Sequence, residues 1–370
     1  MTNYLDQLES VALVAREHAR KTDSGEYPSA TINALRETGL LGLISSTEFG
    51  GMGEGPRAAA TVVERLAREC ASSAMVTCMH YSGVAVIEQY GDDATRREIA
   101  EGRHLSTLAF SEAGSRSHFW APSSTAEMAE EGIRLNAHKS WVTSASHAKA
   151  YVWSSKPLKA EGASTIWLVP ANADGLEKPG PFTGIGMRGN DSTPVKATNV
   201  VVSEAAQLGQ DGAGFGIMME TVLPWFQVMN AACSIGLMEG ATERACAHVS
   251  NTRHEHLESS LADLPTIRNY LARMRIKTDM AKTLWSDTIS AMESGREDTM
   301  LRVLEVKAAA GASATEVLDL GMRGCGGAAF RADVGVERYF RDGRAASVMA
   351  PTTDVLYDFI GKAVCGMDLF

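Results

Sequence analysis

Hydrophobic positions along this chain repeat with a helical period at both ends and with a strand period in the middle. Between residues 5 and 103, apolar residues recur at spacings of three and four, as at Leu8, Val11 and Ala15. Such spacing is typical of amphipathic helices. Breaks fall at residues 25–28 and 49–56, where glycine and proline are frequent. The first part of the chain is therefore predicted to be helical.

The middle of the chain, from about residue 105 to 204, carries short runs of β-branched and aromatic residues between turn-rich pieces. Such runs are typical of strands. The predicted strands are Ile133–Leu135, Ser140–Thr143, Tyr151–Ser154, Thr165–Val169 and Val195–Val202. Because no helical pattern separates these strands, we predict a small antiparallel β domain.

Helical patterns return after residue 214 and continue to the C-terminus. The predicted helices are Phe215–Val249, Leu264–Ser294, Asp298–Met322 and Asp354–Val364. Helices, then strands, then helices do not alternate as a parallel doubly wound sheet requires, so the predicted fold class is α+β. The predicted domains are an N-terminal helical domain (1–104), a middle β domain (105–205) and a C-terminal four-helix bundle (206–370).

Composition and charge narrow the class of protein. Among 370 residues, 45 Asp and Glu oppose 35 Lys and Arg, and the net charge of −10 argues against nucleic acid and membrane surfaces as partners. No apolar stretch approaches the roughly 18 residues that span a bilayer. The N-terminal segment carries Asp6 and Glu9 and resembles no targeting signal, and the six cysteines lack CxxC spacing. We therefore expect a soluble cytoplasmic protein with reduced thiols.

Generic binding motifs are weak in this chain. Gly212, Gly214 and Gly216 lack the GxGxxG spacing of a dinucleotide fingerprint, and no strand–helix–strand unit surrounds them. His254 and His256 flank an acidic residue, but no further ligands follow at the spacing of a metal site. We expect a tight turn at the first motif, a charged loop at the second, and no metal.

Six segments resemble the acyl-CoA dehydrogenase superfamily of flavoproteins, and they occur in the order found in that family. They are LRETGLLGLISSTEFGGMG (35–53), FSEAGSRSH (110–118), KSWVTSASHA (139–148), GMRGNDSTPVKATNVVVSEAAQLGQDGAGF (186–215), RGCGGAAF (323–330) and ERYFRDGRA (337–345). Because they extend over more than 300 residues, the resemblance implies an acyl-CoA dehydrogenase-like fold for the whole chain.

The resemblance implies a noncovalent FAD between the β domain and the C-terminal bundle of a homodimer or homotetramer. Trp141 would pack on the flavin, and Ser111 and Thr143 would hydrogen bond to the edge of its ring. Arg253 would reach the cofactor of a neighbouring subunit. The full set of implied cofactor contacts is Phe110, Ser111, Ser117, Trp141, Thr143, Arg253, Gly326, Gly327 and Thr352.

The chain departs from the family at the catalytic base. Family members remove the α proton of an acyl thioester with a carboxylate that follows the RDxR segment, while a hydride passes to the flavin. Here that position is Ala350, followed by Pro351. A minority of the family carries the base on the helix after GxGF, where this chain has Phe226, and a neighbouring arginine is replaced by Gln227. The resemblance places these last two residues in the substrate pocket.

Three functions are consistent with these departures. The first is FAD-dependent oxidation of a CoA or carrier-protein thioester, or a related small substrate, with another base. Asp354 and His80 are candidates for that base, although either can instead be structural, as a helix cap and a core histidine. The second is a flavin monooxygenase or oxidase, whose relatives lack the carboxylate. The third is a flavin-binding paralogue without dehydrogenase turnover.

One catalytic element survives the loss of the carboxylate. The backbone N–H of Ala350 can still donate a hydrogen bond to a substrate carbonyl, because only proline lacks this donor. Ala350 is therefore retained as a catalytic position in all hypotheses that involve a thioester.

Overall fold

Five α-helices form the N-terminal part of the chain, as far as the structure describes it. The computed structural model describes residues 4–115, 118–254 and 259–369. The helices are α1 (Tyr4–Asp23), α2 (Ser29–Glu37), α3 (Pro56–Ala67), α4 (Ala71–Tyr90) and α5 (Asp93–Ala100). Helix α3 begins with Pro56, whose missing N–H costs nothing in the first turn, and Asp92 caps α5 by accepting the Thr95 N–H at 2.8 Å. The predicted helical character of this region is confirmed.

Two four-stranded sheets pack face to face in the middle of the chain. The strands are β1 (Ser106–Ala109), β2 (Thr125–Ala129), β3 (Gly132–Val142), β4 (Ala150–Ser155), β5 (Thr165–Pro170), β6 (Leu176–Glu177), β7 (Thr193–Val202) and β8 (Gln207–Leu208). One sheet has the order β1-β4-β5-β8 and the other β2-β3-β7-β6. Trp153, Trp167 and Leu135 lie fully buried in the core that these sheets share.

One pair of strands differs from the predicted antiparallel arrangement. Strand β1 runs parallel to β4, with Ser106 opposite Ala150, whereas the other pairs in both sheets are antiparallel. The chain between β1 and β4 contributes β2 and β3 to the second sheet, so it returns to the first sheet in its original direction. Strand β8 pairs with β5 and extends the β structure just beyond residue 205.

Within the described residues, three long α-helices and four shorter ones build the C-terminal part. Its elements are α6 (Gly214–Ile217), α7 (Leu223–Asn251), the ribbon of β9 (Arg253–His254) and β10 (Ser259–Ser260), α8 (Pro265–Ser294), α9 (Thr299–Cys325), α10 (Val336–Asp342), α11 (Ala345–Val348) and α12 (Thr353–Val364). Helices α7, α8 and α9 pack against one another, and α12 packs on α9. Helix α3 also packs on α7, which joins the two helical regions.

A π-helical turn, Met218–Val222, joins α6 and α7 into one continuous helix. Pro224 follows this turn, and because it has no N–H the preceding carbonyls cannot form the usual α-helical ladder. The helix Gly214–Asn251 is long and apolar enough to cross a membrane, but 89% of its most apolar window is buried. It is the central core helix of the bundle, and the cytoplasmic location stays a prediction.

Candidate active site

A cavity of about 800 Å³ lies between the β domain, the start of α7 and the segment around α11. Met79 of α4 also contributes to its wall, so all three predicted domains meet there. Seven of the predicted site residues line this cavity: Phe110, Ser111, Trp141, Thr143, Phe226, Ala350 and Thr352. The structure therefore brings together, in one place, most of the residues that the resemblance implied.

Trp141 forms an exposed aromatic wall of the cavity. Its side chain is 61% exposed and its ring centroid lies 3.8 Å from that of Phe182. Its φ of +55° falls in the left-handed region, where β3 shifts its register against β7 between Lys139 and Val142. Such a conformation is uncommon outside glycine and concentrates at functional sites. The bulge turns the indole out of the sheet and towards the cavity.

Hydroxyl groups lie beside this aromatic wall. The Thr143 Oγ1 lies 3.3 Å from the Ser192 Oγ, and both residues line the cavity. Ser111 lines it too, and its carbonyl accepts the Ser140 N–H at 2.8 Å, which fixes the segment after β1 against β3. The site thus offers hydrogen-bonding groups at the edge of an aromatic surface.

A buried ion pair supports this wall. The Lys139 Nζ lies 2.6 Å from Glu112 Oε1 and donates to the Ser154 carbonyl, also at 2.6 Å. Burial acts to raise the pKa of the Glu112 carboxyl, but Lys139 and hydrogen bonds from Ser123 and Ser124 outweigh it and lower that pKa to about 2. Glu112 lines the cavity, yet its charge is directed into this network. Both residues lie in segments that resemble the family, FSEAGSRSH and KSWVTSASHA, but nothing in these segments predicts their pairing.

A second support is buried under the segment Gly186–Arg188, which also lines the cavity. Asp342 accepts the Met187 N–H at 2.6 Å, and burial raises the pKa of its carboxyl to about 6. The adjacent Arg341 lies 2.6 Å from Asp23 of α1. This pair of residues in the ERYFRDGRA segment therefore connects the two other domains to the bundle.

The segment after α11 forms the cavity wall at the position of the missing base. Met349 and Ala350 line the cavity, and Thr352 caps α12 by accepting the Val355 N–H at 3.4 Å. Beneath them, Lys307 of α9 is buried, and burial lowers the pKa of its ammonium to about 7. Lys307 was not identified from the sequence, because its position in an apolar helix carries no motif.

Neither candidate for a substitute base faces the main cavity. His80 is fully buried in α4, where its Nε2 lies 3.0 Å from the Leu41 carbonyl and its Nδ1 accepts the Ser106 N–H at 3.1 Å. Asp354 is exposed on α12 and lines a separate cavity of about 500 Å³. His80 is a hydrogen-bonded core histidine and Asp354 lines the second cavity, so a role for either residue as the base stays a prediction.

The two residues predicted for the substrate pocket have different surroundings. Phe226 lines the cavity from α7, but Gln227 is fully buried behind the wall and is not among the lining residues. Neither amide atom of Gln227 has a hydrogen-bond partner among the described residues. The helical turn that directs Phe226 into the cavity rotates the next side chain into the bundle.

The residues implied to act across a subunit interface lie away from this cavity. Arg253 is exposed in the β9–β10 ribbon, and Gly326 and Gly327 follow α9, where an added Cβ would meet no atom of the described residues within 4 Å. A close approach at these glycines therefore has no source in the described residues of this chain. Ser117 and His256 lie outside the described residues.

The observed groups fit a flavin cofactor. A flat ring system needs an aromatic or apolar wall together with a few hydrogen-bonding groups along its edge. The outward-turned Trp141 and the hydroxyls of Thr143 and Ser192 supply both kinds of group, and the cavity is of the size that takes a large cofactor or ligand. The chemistry of the wall therefore agrees with the implied FAD.

Comparison with known proteins agrees with this geometry. Models of the acyl-CoA dehydrogenase N-terminal, middle and C-terminal domains match residues 9–102, 107–200 and 212–365. A probable acyl-CoA dehydrogenase of Bacillus subtilis, YngJ, is 23% identical over 347 residues, which cover 91% of this chain and 90% of YngJ.

Two solved structures share the fold. Butyryl-CoA dehydrogenase from Megasphaera elsdenii has a TM-score of 0.88 and 20% identity, covering 97% of this chain and 98% of that one. The prolyl acyl carrier protein oxidase AnaB has a TM-score of 0.88 and 17% identity, covering 98% and 99%. With three domain models matched in order, this chain belongs to the acyl-CoA dehydrogenase family of FAD-dependent oxidoreductases, and FAD is its cofactor.

Proposed function

We propose that this protein oxidises an acyl thioester, carried by CoA or a carrier protein, in the cavity between Trp141 and Ala350. The observation that carries the proposal is the backbone N–H of Ala350: this residue lines the cavity, and its N–H has no hydrogen-bond partner among the described residues. FAD, when bound, supplies the two-electron oxidant. The carrier-protein alternative is supported by the likeness to AnaB, which is named as an acyl carrier protein oxidase.

The residues of the chain would bind and orient the thioester. A donated hydrogen bond from Ala350 would polarise the thioester carbonyl, and this stabilises the charge that develops on its oxygen. Val222 at the end of the π-helical turn, together with Leu223 and Phe226 at the start of α7, gives an apolar surface for the acyl chain. These side chains also exclude water from the reacting carbons.

His118 is the proton acceptor in this proposal. Its ring lines the cavity and is exposed, and its Nδ1 lies 3.2 Å from the Ser115 carbonyl. A nitrogen that faces a carbonyl must carry the proton, so this assignment leaves Nε2 unprotonated and able to accept one. Among the described lining residues, Glu112 is the sole carboxylate, and Lys139 holds it.

A flavin monooxygenase or oxidase is the second candidate function. The methyl group of Ala350 favours it, because a cavity without a carboxylate at this position is poorly suited to removing an α proton from an ordinary acyl-CoA. In that case the same cavity would bind a substrate that reacts with oxygen after an external reductase has reduced the flavin.

Anaerobic flavin bleaching distinguishes these functions. The FAD-loaded protein is mixed with a panel of acyl-CoAs and with the same acyl groups on a phosphopantetheinylated carrier protein. Bleaching by any of these thioesters supports the proposal, and His118→Gln should slow it about 10²-fold or more. The matched control is His138→Gln, an exposed histidine on β3. No bleaching by the whole panel, together with oxygen consumption that needs a flavin reductase, would overturn it.

A further inference from the structure

The Lys307 side chain donates hydrogen bonds to one short segment of the chain, the loop that begins in α11 and ends at Pro351. Its Nζ donates to the carbonyls of Ala346, Met349 and Pro351 at 2.9, 3.0 and 2.8 Å. An ammonium group has three N–H donors and no acceptor. Each donor therefore has one carbonyl of this loop, and the loop is the one that carries Ala350 to the cavity wall.

The direction of one peptide group follows from these contacts. The Met349–Ala350 peptide is trans. In a planar trans peptide the C=O and the N–H point in opposite directions. Because the Met349 carbonyl points at Lys307, the Ala350 N–H points away from it, on the side where Ala350 lines the cavity. This agrees with the lack of a partner for that N–H among the described residues.

We infer that Lys307 is a positioning residue of the active site, which fixes and polarises the Met349–Ala350 peptide so that the Ala350 N–H is presented to the substrate carbonyl. The inference rests on the proposed function for the identity of that carbonyl. A hydrogen bond from a charged donor is stronger than one from a neutral donor, and hydrogen bonds in series polarise one another, by about 10–30% per bond. Lys307 thus acts on the substrate through the backbone without touching it.

A purely structural role accounts less well for this residue. An ammonium buried without a carboxylate is costly, and an apolar side chain of similar length would fill the same space in α9 at lower cost. All three N–H donors instead converge on the loop of residue 350. The arrangement therefore matches a role in fixing the direction of a backbone donor.

Selective isotope labelling makes this peptide observable in the resting protein. With ¹³C-carbonyl methionine and ¹⁵N alanine, only Met–Ala peptides give a carbonyl–nitrogen correlation, and the chain has three: Met128–Ala129, Met280–Ala281 and Met349–Ala350. Transverse-relaxation-optimised NMR of the deuterated FAD-loaded protein then gives three signals. The pairs Met128–Ala129 and Met280–Ala281 lie in β2 and α8 and serve as internal controls.

Lys307→Ala should shift the Met349–Ala350 signal and leave the other two signals in place. Added ethylammonium, which replaces the lost amine, should return the Met349–Ala350 signal to its wild-type position. Lys307→Gln, which keeps a shorter N–H donor, provides a second variant if the alanine variant does not fold. An unchanged Met349–Ala350 signal in a folded variant would overturn the inference. So would a shift that ethylammonium at saturating concentration leaves uncorrected.

Binding of a carbonyl probe provides the functional measurement. Acetyl-CoA has the thioester carbonyl and S-ethyl-CoA lacks it. The dissociation constant of S-ethyl-CoA divided by that of acetyl-CoA therefore reports the contribution of that carbonyl to binding. Lys307→Ala should reduce the ratio about five- to tenfold, and ethylammonium should restore it. A ratio that does not change would overturn the inference. Failure of acetyl-CoA to bind wild type would count against the proposed CoA substrate, while the NMR signal still decides the role of Lys307.

Discussion

Ala350 places a methyl group where the family's carboxylate would lie. If a missing base is what limits thioester oxidation, Ala350→Glu should raise the rate of flavin bleaching by an acyl-CoA by about 10² to 10⁴. The matched control is Val364→Glu, which puts a carboxylate at the end of α12, on a side chain that is 72% exposed and is not among the residues that line the cavity. Stopped-flow absorbance of the flavin measures both. Equal rates in wild type and Ala350→Glu would favour the oxygenase instead.

His80 makes stability depend on pH in the acidic range. Burial lowers the pKa of its imidazole to about 4, whereas an unfolded chain has a histidine pKa of about 6.5. Between these values the unfolded state binds a proton that the folded state does not. The free energy of unfolding should therefore fall by about 2–3 kcal/mol for this residue as the pH drops from 7 to 4.5.

Urea unfolding at the two pH values measures this dependence. His80→Asn should show a smaller loss between pH 7 and 4.5 than wild type, whatever its stability at pH 7. His138→Asn, at an exposed position, should behave as wild type. The same pH slope in His80→Asn and wild type would show that the acid sensitivity arises elsewhere, for example at His104, whose pKa burial also lowers to about 4.

At the scale of elements, strands β3 and β4 carry tryptophans in different environments: Trp141 in β3 is exposed and Trp153 in β4 is buried. Trp141→Ala should lower FAD retention with little loss of folding stability, since the ring is already 61% exposed. Trp153→Ala should instead lower the free energy of unfolding by about 3–5 kcal/mol, because that ring is fully buried between the sheets. Absorbance after gel filtration and urea unfolding measure the two effects. Equal losses of FAD would contradict an aromatic wall at Trp141.

The sequence predicted the elements well where one periodicity dominates. The long helices around α7, α8 and α9 repeat every three to four residues, and the strands are separated by clear turn signals. The parallel pairing of β1 with β4 could not be predicted, because it depends on which sheet the intervening strands join. The Glu112–Lys139 pair was missed for the same reason, since the fold brings together residues on two separate segments.

Single side chains proved harder to place than elements. Helix α4 is apolar around most of its circumference, so its pattern gives no face from which the direction of His80 could be read. Asp354 and Thr352 are two residues apart, yet Thr352 lines the main cavity and Asp354 a different one. The role of Lys307 depends on the carbonyls that its ammonium group contacts in the folded chain. The spacing of residues in α9 does not predict these contacts.

For the whole molecule, we predict a homodimer or a dimer of dimers. Arg253, Gly326 and Gly327 are exposed, and α8 and the segment after α9 present apolar side chains at Ile276, Met280 and Phe330. Apolar side chains grouped on an exposed face are typical of protein interfaces. Light scattering should give at least twice the chain mass. Arg253→Ala should lower FAD retention although the Trp141 side chain is still present. A monomer that retains FAD fully would refute a shared site.

Because the indole of Trp141 faces outward, the tryptophan fluorescence of the protein should report whether FAD is bound. The chain has six tryptophans, and Trp153 and Trp167 are sealed within the β core, where their emission should be blue-shifted and constant. An exposed indole emits at longer wavelength, and a flavin stacked on it would accept its excitation energy. Titrating apoprotein with FAD should therefore remove the red edge of the fluorescence spectrum first, so that occupancy of the site is readable without any substrate.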